Sequence, residues 1–159
     1  MKTNGFSLLE TMIALTVLAI GLLGQARTQM DTITTNQSSY YKLQAAYLAN
    51  EIVDRLRLNP VGVSAGDYND ASTAMEYVDN NCKTSSNGCS VTEVSQVDLY
   101  EWMDHVRTSI PNGSATLVRQ TEFTEQAVFV ITINWNTKIT YLADSNKATY
   151  NKFNMQVGI

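Results

Sequence analysis

An apolar run near the N-terminus constrains this chain more than any other feature. The run covers 21 residues, 6–26, and the one charged side chain in it is Glu10. As an α-helix it would span about 31 Å, close to the roughly 30 Å hydrocarbon core of a bilayer. A carboxylate near the bilayer interior costs roughly 2.5–3.5 kcal/mol, so such residues usually have a function. The run predicts a membrane anchor, with Glu10 as a candidate functional residue.

The flanking charges predict how this anchor is oriented. Lys2 precedes the run and Arg27 is the next positive charge, which favours a cytoplasmic N-terminus and an external remainder. A secretory signal peptide is the alternative, because "GQA" at 24–26 offers a small-x-small cleavage site. Glu10 does not suit a signal peptide, and the helical pattern continues beyond Ala26. We therefore expect a transmembrane segment at 6–29 and a globular domain at 30–159.

The segment after the anchor predicts a continuation of the same helix. Gly and Pro are absent from Gln25 to Leu58, and apolar residues recur every three or four positions on one face. Those residues are Tyr41, Ala45, Leu48, Ile52 and Leu56. "NP" at 59–60 should end the helix, because the residue before proline disfavours the α region.

Residues 61–93 are rich in Gly, Ser, Thr, Asn and Asp and predict mostly loop, with a short helix at "TAMEYV", 73–78. Asp67, Asn69 and Asp70 lie together but lack the spacing of a calcium loop. A hydrated turn, with no metal, is the expectation.

Cys82 and Cys89 are the two cysteines and enclose the six residues "KTSSNG". Zinc would need two further ligands, and a redox dithiol would normally be C-x-x-C. In an oxidising compartment outside the cytoplasm we expect a structural disulfide, with free thiols as the alternative.

The C-terminal third predicts a helix followed by antiparallel strands. "SQVD" at 95–98 resembles a capping box, and an amphipathic stripe follows it. The stripe consists of Leu99, Trp102, Met103, Val106 and Ile110. "ATLVRQ", "AVFVITINW", "KITYLA" and "KFNMQVGI" then indicate strands, of which the second and fourth alternate clearly between apolar and polar residues. The sequence predicts an α+β fold in which the long helix covers one face of the sheet.

Composition narrows the function. Charged residues make up 16% of the chain and the net charge is −4, without a basic patch, so nucleic-acid binding is not expected. His105 is the one histidine, and no nucleophile is placed to make a triad with it. We expect His105 to be a surface or cap residue, and the protein to be neither an enzyme nor a cofactor carrier.

The stretch "GFSLLETMIAL" resembles the class III leader and N-terminal segment of type IV pilins and type II secretion pseudopilins. "AIGLLGQARTQ", "LANEIVDRLRLNP" and "DLYEWMDHVRTSIPNGSATLV" further resemble PilV-type minor pilins, the type IV pilus modification proteins. The resemblance implies a type IV pilin-like fold with a long N-terminal helix packed on a C-terminal antiparallel sheet.

The resemblance also implies processing and assembly residues. A prepilin peptidase would cut between Gly5 and Phe6, remove residues 1–5 and methylate Phe6. Phe6 and Glu10 would then serve subunit assembly, because Glu10 can neutralise the new amine of its own chain or of a neighbour.

Three classes of function remain open at the level of sequence. The first is a minor pilin, moving from the inner membrane into a type IV pilus that serves adhesion and twitching motility, with other minor pilins and the major pilin as partners. The second is a minor pseudopilin of a type II secretion system. The third, an anchored or secreted enzyme, lacks a catalytic constellation.

Overall fold

The computed structural model describes residues 8–72, 82, 84, 86, 88–120, 126–137 and 149–159. Contacts divide the chain into two compact units, Met1–Ser39 and Tyr40–Ile159. Helix α1, Leu8–Leu58, begins in the first unit and ends in the second. Its end before Asn59 and Pro60 confirms the predicted stop, since proline restrains the residue that precedes it.

The second unit contains a four-stranded antiparallel sheet in the order β1-β2-β3-β4. The strands are β1, Ala71–Ser72; β2, Ser114–Gln120; β3, Val128–Thr137; and β4, Thr149–Gly158. The α+β class and the strands at "ATLVRQ", "AVFVITINW" and "KFNMQVGI" are confirmed. The strand expected at "KITYLA" and the short helix expected at "TAMEYV" lie outside the described residues.

Rows of side chains across the sheet form one side of the core. Ala115, Ile133 and Phe153 are paired in one row, and Leu117, Ile131 and Met155 in the next. The β3 members are fully buried, whereas Phe153 and Met155 on the outer strand are partly buried. The predicted stripe of α1 joins the same core: Ala45, Leu48, Ile52 and Leu56 are at most 1% exposed, and Tyr41 packs at its margin.

The second helix, α2, Pro60–Ala65, was not predicted and lies at the start of the stretch 61–93, for which the sequence predicts mostly loop. Asn59 caps it by accepting a hydrogen bond from the Gly62 amide at 3.1 Å, and Pro60 suits the first helical position. Gly66 ends it with φ of 87°, a left-handed conformation that glycine adopts without strain. Asn59 and Pro60 thus account for the start of this short helix, and Gly66 accounts for its end.

The third helix, α3, Val91–Ser109, begins earlier than predicted. The prediction that Ser95 opens a capping box is wrong, because Ser90 and Glu93 form the box by bonding each other's backbone amides. Both stretches fit the Ser-x-x-acid pattern, but Ser95 is completely buried within the helix. There its hydroxyl donates to the Val91 carbonyl at 3.1 Å, a bond that requires the helix to have already begun.

The apolar stripe predicted for α3 is confirmed, and it packs into the same core. Leu99, Trp102, Met103, Val106 and Ile110 are each at most 1% exposed. The indole of Trp102 also donates to the Leu48 carbonyl of α1 at 2.7 Å, which satisfies the buried N–H of this large side chain. Helices α1 and α3 are thus joined by both packing and a hydrogen bond.

Candidate functional site

The N-terminal part of α1 carries the first candidate site. Gly5 and Phe6, the predicted cleavage residues, lie outside the described residues. Glu10 lies in the first turn of α1 and is exposed. A carboxylate is favoured at this end of a helix because it interacts well with the helix dipole.

The apolar side chains around Glu10 are unusually exposed for a folded chain. Every large apolar residue from Leu8 to Leu23 is at least 57% exposed. Fully burying such a side chain contributes roughly 1.5–3 kcal/mol, so water is an unfavourable environment for this surface. The segment requires a lipid or protein environment that covers it on all sides.

The hydroxyl groups of this segment are compatible with such an environment. Thr11 donates to the Leu8 carbonyl and Thr16 to the Met12 carbonyl, both at 2.8 Å. Thr28 bonds the Gly24 carbonyl in the same way at 3.2 Å. A hydroxyl bonded to its own helix leaves few polar groups unpaired when the helix enters an apolar phase. Glu10 is then the side chain that still requires a charged partner there.

Helix α1 is long and apolar enough to cross a membrane. An 18-residue window in it has a mean hydropathy of 1.8, and none of that window is buried. This length and composition agree with the anchor predicted from the sequence.

The globular unit contains the disulfide between Cys82 and Cys89, with a Cα–Cα distance of 4.6 Å. Cys82 is 6% exposed. The pair closes a short loop directly before the Ser90 cap of α3. Both cysteines are therefore engaged in the bond, which constrains the chain just before α3.

A cluster of charges joins α1 to α3 in the globular unit. Arg55 contacts Glu51 of its own helix at 2.9 Å and Asp98 and Glu101 of α3 at 3.0 Å each. Burial lowers the pKa of Arg55, but the hydrogen bonds that it donates to Glu101, Glu51 and Asp98 outweigh that effect and raise the pKa above its usual value. The sequence does not predict this cluster, since Asp98 and Glu101 lie more than forty positions from Arg55 in the chain.

A buried polar network continues from this cluster. The Tyr68 hydroxyl donates to Asp98 at 2.8 Å, and the Asn59 amide donates to Tyr68 at 3.1 Å and to Ser95 at 3.0 Å. Burial first, and then Asp98, raise the pKa of Tyr68 to about 12 against opposite effects of Ser95 and Asn59. The network orients α2 and α3 against each other.

His105 lies on α3 with its side chain 53% exposed and its Nδ1 3.0 Å from a Glu51 carboxylate oxygen. It is therefore a surface residue that joins the Arg55 cluster at its edge. Asp67 and Asp70 lie at the turn after α2, where Asp70 has a φ of 52°. Among the described residues no group of three or more His, Cys, Asp and Glu side chains is arranged to hold a metal ion.

The comparison with known families concerns the N-terminal site. Residues 1–24 match the family model of the prokaryotic N-terminal methylation motif. No curated protein and no solved structure gives a significant match to the chain. The motif, the apolar exposed helix and the α+β fold together support a membrane-anchored, type IV pilin-like protein, a class whose members assemble into pili or secretion machines.

Proposed function

We propose that this chain is a minor pilin that helps to initiate, assemble or modify a type IV pilus. The observation that carries the proposal is the combination of a methylation motif at 1–24 with an exposed apolar helix whose one charge before Arg27 is Glu10. The looser resemblance of later segments to PilV-type minor pilins favours a pilus over a secretion machine. Partners would be other minor pilins and the major pilin.

The proposed mechanism of assembly pairs two charges. Cleavage after Gly5 would create an amine on Phe6, four positions before Glu10 in the chain. In a bundle of apolar helices an unpaired charge is costly, whereas a carboxylate and an amine in contact form a strong hydrogen bond. Only a subunit docked in the correct register brings a carboxylate to each amine. Glu10 would therefore select the correct docking position.

Before assembly, the proposed location is the inner membrane. The N-terminus would be cytoplasmic, as Lys2 favours, and the unit Tyr40–Ile159 would be periplasmic. The disulfide suits that compartment, because disulfides form and persist where the environment is oxidising.

Processing is the direct test. Mass spectrometry of the full-length protein purified from its own cells should show a chain that begins at Phe6 and carries one added methyl group. Gly5→Val should leave the uncleaved precursor in the membrane, because a side chain there would obstruct the peptidase. A mature terminus at Arg27 would instead establish the signal-peptide alternative and contradict the proposal.

The alternative within the same class is a minor pseudopilin of a type II secretion system, which shares the methylation motif. Deletion of the gene distinguishes the two. We expect loss of surface pili and of twitching motility with normal secretion of enzymes. Normal piliation with lost enzyme secretion would assign the chain to the secretion machine.

A further inference from the structure

Two charged side chains stand apart from all others on α1, just beyond the apolar run. Arg27 and Asp31 are the only charged residues between Glu10 and Lys42 in the sequence. Both are exposed on the helix. One cation and one anion are thus presented together on a surface that is otherwise uncharged.

The spacing of these two charges repeats the spacing of the charges proposed for assembly. The amine of Phe6 would precede Glu10 by four positions, and Arg27 precedes Asp31 by four positions. The first cation–anion pair lies 21 positions before the second, which is three heptads. In a left-handed bundle of nearly parallel helices the face that meets a neighbour repeats about every 3.5 residues. Both pairs would therefore lie on the same face of α1.

The order of the two charges suits a contact between helices better than a contact within one helix. A carboxylate four residues before a cation stabilises an isolated helix more than the reverse order does. Here the cation comes first. In the part of the chain that the structure describes, no carboxylate forms an ion pair with Arg27. The guanidinium therefore remains available to a neighbouring helix.

The side chains around the two charges would support such a contact. Met30 and Ile33 are 54% and 61% exposed, so packing against another helix would remove apolar surface from water. Thr28 and Thr32 already donate to the carbonyls of Gly24 and Thr28, at 3.2 and 2.9 Å. Where the apolar side chains exclude water, the attraction between opposite charges is less screened.

We propose that α1 of a second copy of this chain docks beside the first with an axial offset of four residues, about 6 Å, so that Arg27 of one copy pairs with Asp31 of the other. The inference rests on the proposed function, because the same offset brings the Phe6 amine of one copy to Glu10 of the other. A second copy is the occupant, since its α1 carries both charges at the spacing that this offset requires. Complementary charges of this kind fix the register of a contact.

Charge reversal in two differently tagged copies tests the pair. Both full-length chains are produced in the protein's own cells, each with a photo-crosslinking amino acid in place of the exposed Thr28. One copy carries Arg27→Asp and the other carries Asp31→Arg. Either variant alone brings like charges together at the contact, whereas the mixture restores opposite charges whichever copy comes first.

We expect the wild-type chain to give a crosslinked homodimer in the membrane. Each variant alone should lose this adduct several-fold, and the mixed pair should return it to nearly the wild-type amount. Lys42→Asp is the matched control, because it reverses an exposed charge of α1 outside the pair and should leave the adduct unchanged. Immunoblots of processed protein in the membrane ensure that equal amounts of each variant are compared.

Three results would overturn the inference. Adducts of equal amount in all combinations would show that the charges do not matter, and losses that the mixed pair does not restore would show that they do not meet. A wild-type adduct with a different protein alone would exclude a second copy as the occupant.

The mass of the mature chain separates failure of this pair from failure of the proposed function. A chain that begins at Phe6 but gives charge-independent adducts rejects the pair between Arg27 and Asp31 and leaves the proposed function standing. A mature terminus at Arg27 rejects the proposed function itself.

Discussion

At the scale of single residues, the buried hydroxyl of Tyr68 connects the polar network of the globular unit. It donates to Asp98 and accepts from Asn59, so its removal leaves both groups short of a partner. A buried polar group that loses its partner costs about 1–3 kcal/mol. The raised pKa of Tyr68 makes this contribution depend on pH.

Tyr68→Phe should lower the free energy of unfolding by about 1–3 kcal/mol at neutral pH. The folded state keeps the phenol protonated up to about pH 12, whereas the unfolded chain loses the proton near pH 10. The stabilising contribution is therefore complete below pH 10 and is lost, by on the order of 2 kcal/mol, as the pH rises from 10 to 12. Chemical denaturation of both proteins across this range should show the two stabilities converging.

Tyr47→Phe is the matched control, because Tyr47 lies on α1 and is 67% exposed. It should change stability by less than about 0.5 kcal/mol at every pH. A constant difference between wild type and Tyr68→Phe from pH 9 to pH 12 would contradict the assignment of the raised pKa.

At the scale of elements, α3 depends on the cap at its N-terminus. Ser90 accepts from the Glu93 amide, and the Glu93 carboxylate accepts from the Ser90 amide at 2.7 Å. The backbone bond to Ser90 is the larger of the effects that lower the pKa of Glu93. The stabilising effect of this carboxylate is thus present above its unfolded-state pKa and is lost as the pH falls through the lowered folded-state pKa.

Ser90→Ala should destabilise the protein by about 1 kcal/mol at neutral pH, because one amide of the first turn loses its acceptor. Ser109→Ala, at the other end of the same helix, is the control and should have a smaller effect. Thermal unfolding monitored by circular dichroism measures both. Equal destabilisation by the two substitutions would show that the capping box contributes nothing specific.

The disulfide fixes the loop that leads into the same helix. Cys82→Ser opens the covalent loop between two cysteines that are seven positions apart. The unfolded chain then gains conformational entropy, which should lower the free energy of unfolding by about 2.5 kcal/mol. We expect a lower unfolding temperature with unchanged processing, because the loop and the cleavage site are far apart in sequence. Non-reducing mass analysis of the wild type should show a mass two hydrogens below that of the dithiol. Free thiols in protein taken from the periplasm would contradict both the pairing and the proposed compartment.

Whether the sequence predicted an element correctly depended on how many residues the underlying pattern spans. Long periodic stripes, such as Leu48 with Ile52 or Phe129 with Ile131, gave the helices and strands correctly because burial on one face repeats along the chain. Short signals were ambiguous: two Ser-x-x-acid patterns competed at α3, and local periodicity cannot choose between them. The Arg55 cluster was not predicted, since it depends on residues of α1 and α3 that are brought together only by the fold.

At the scale of the whole molecule, the chain combines two surfaces with different requirements. The unit Tyr40–Ile159 buries its apolar residues in a core of its own, whereas the N-terminal part of α1 leaves its apolar residues exposed. Stability and assembly should therefore be separable by mutation. Substitutions in the polar network affect folding, and a substitution at Glu10 should leave folding of the globular unit intact.

Glu10→Ala tests this separation. The helix becomes more apolar, so membrane insertion should be unchanged or slightly better, and cleavage should persist because the peptidase acts before subunits dock. Entry into the filament should fail, since an amine on Phe6 would be buried without its partner. Removing one partner of a buried pair costs roughly 3–5 kcal/mol, which shifts a docking equilibrium more than a hundredfold.

The measurement is the amount of this subunit in pili sheared from the cell surface, with immunoblots of processed protein in the membrane as the reference. Thr11→Ala, in the same helical turn, removes a hydroxyl that bonds its own helix at the Leu8 carbonyl, so it should still incorporate. Glu10→Ala at normal membrane level but with strongly reduced incorporation is the expected result. If it enters the filament as well as Thr11→Ala does, the carboxylate does not select the docking position, and the exposed apolar surface of α1 alone must direct assembly.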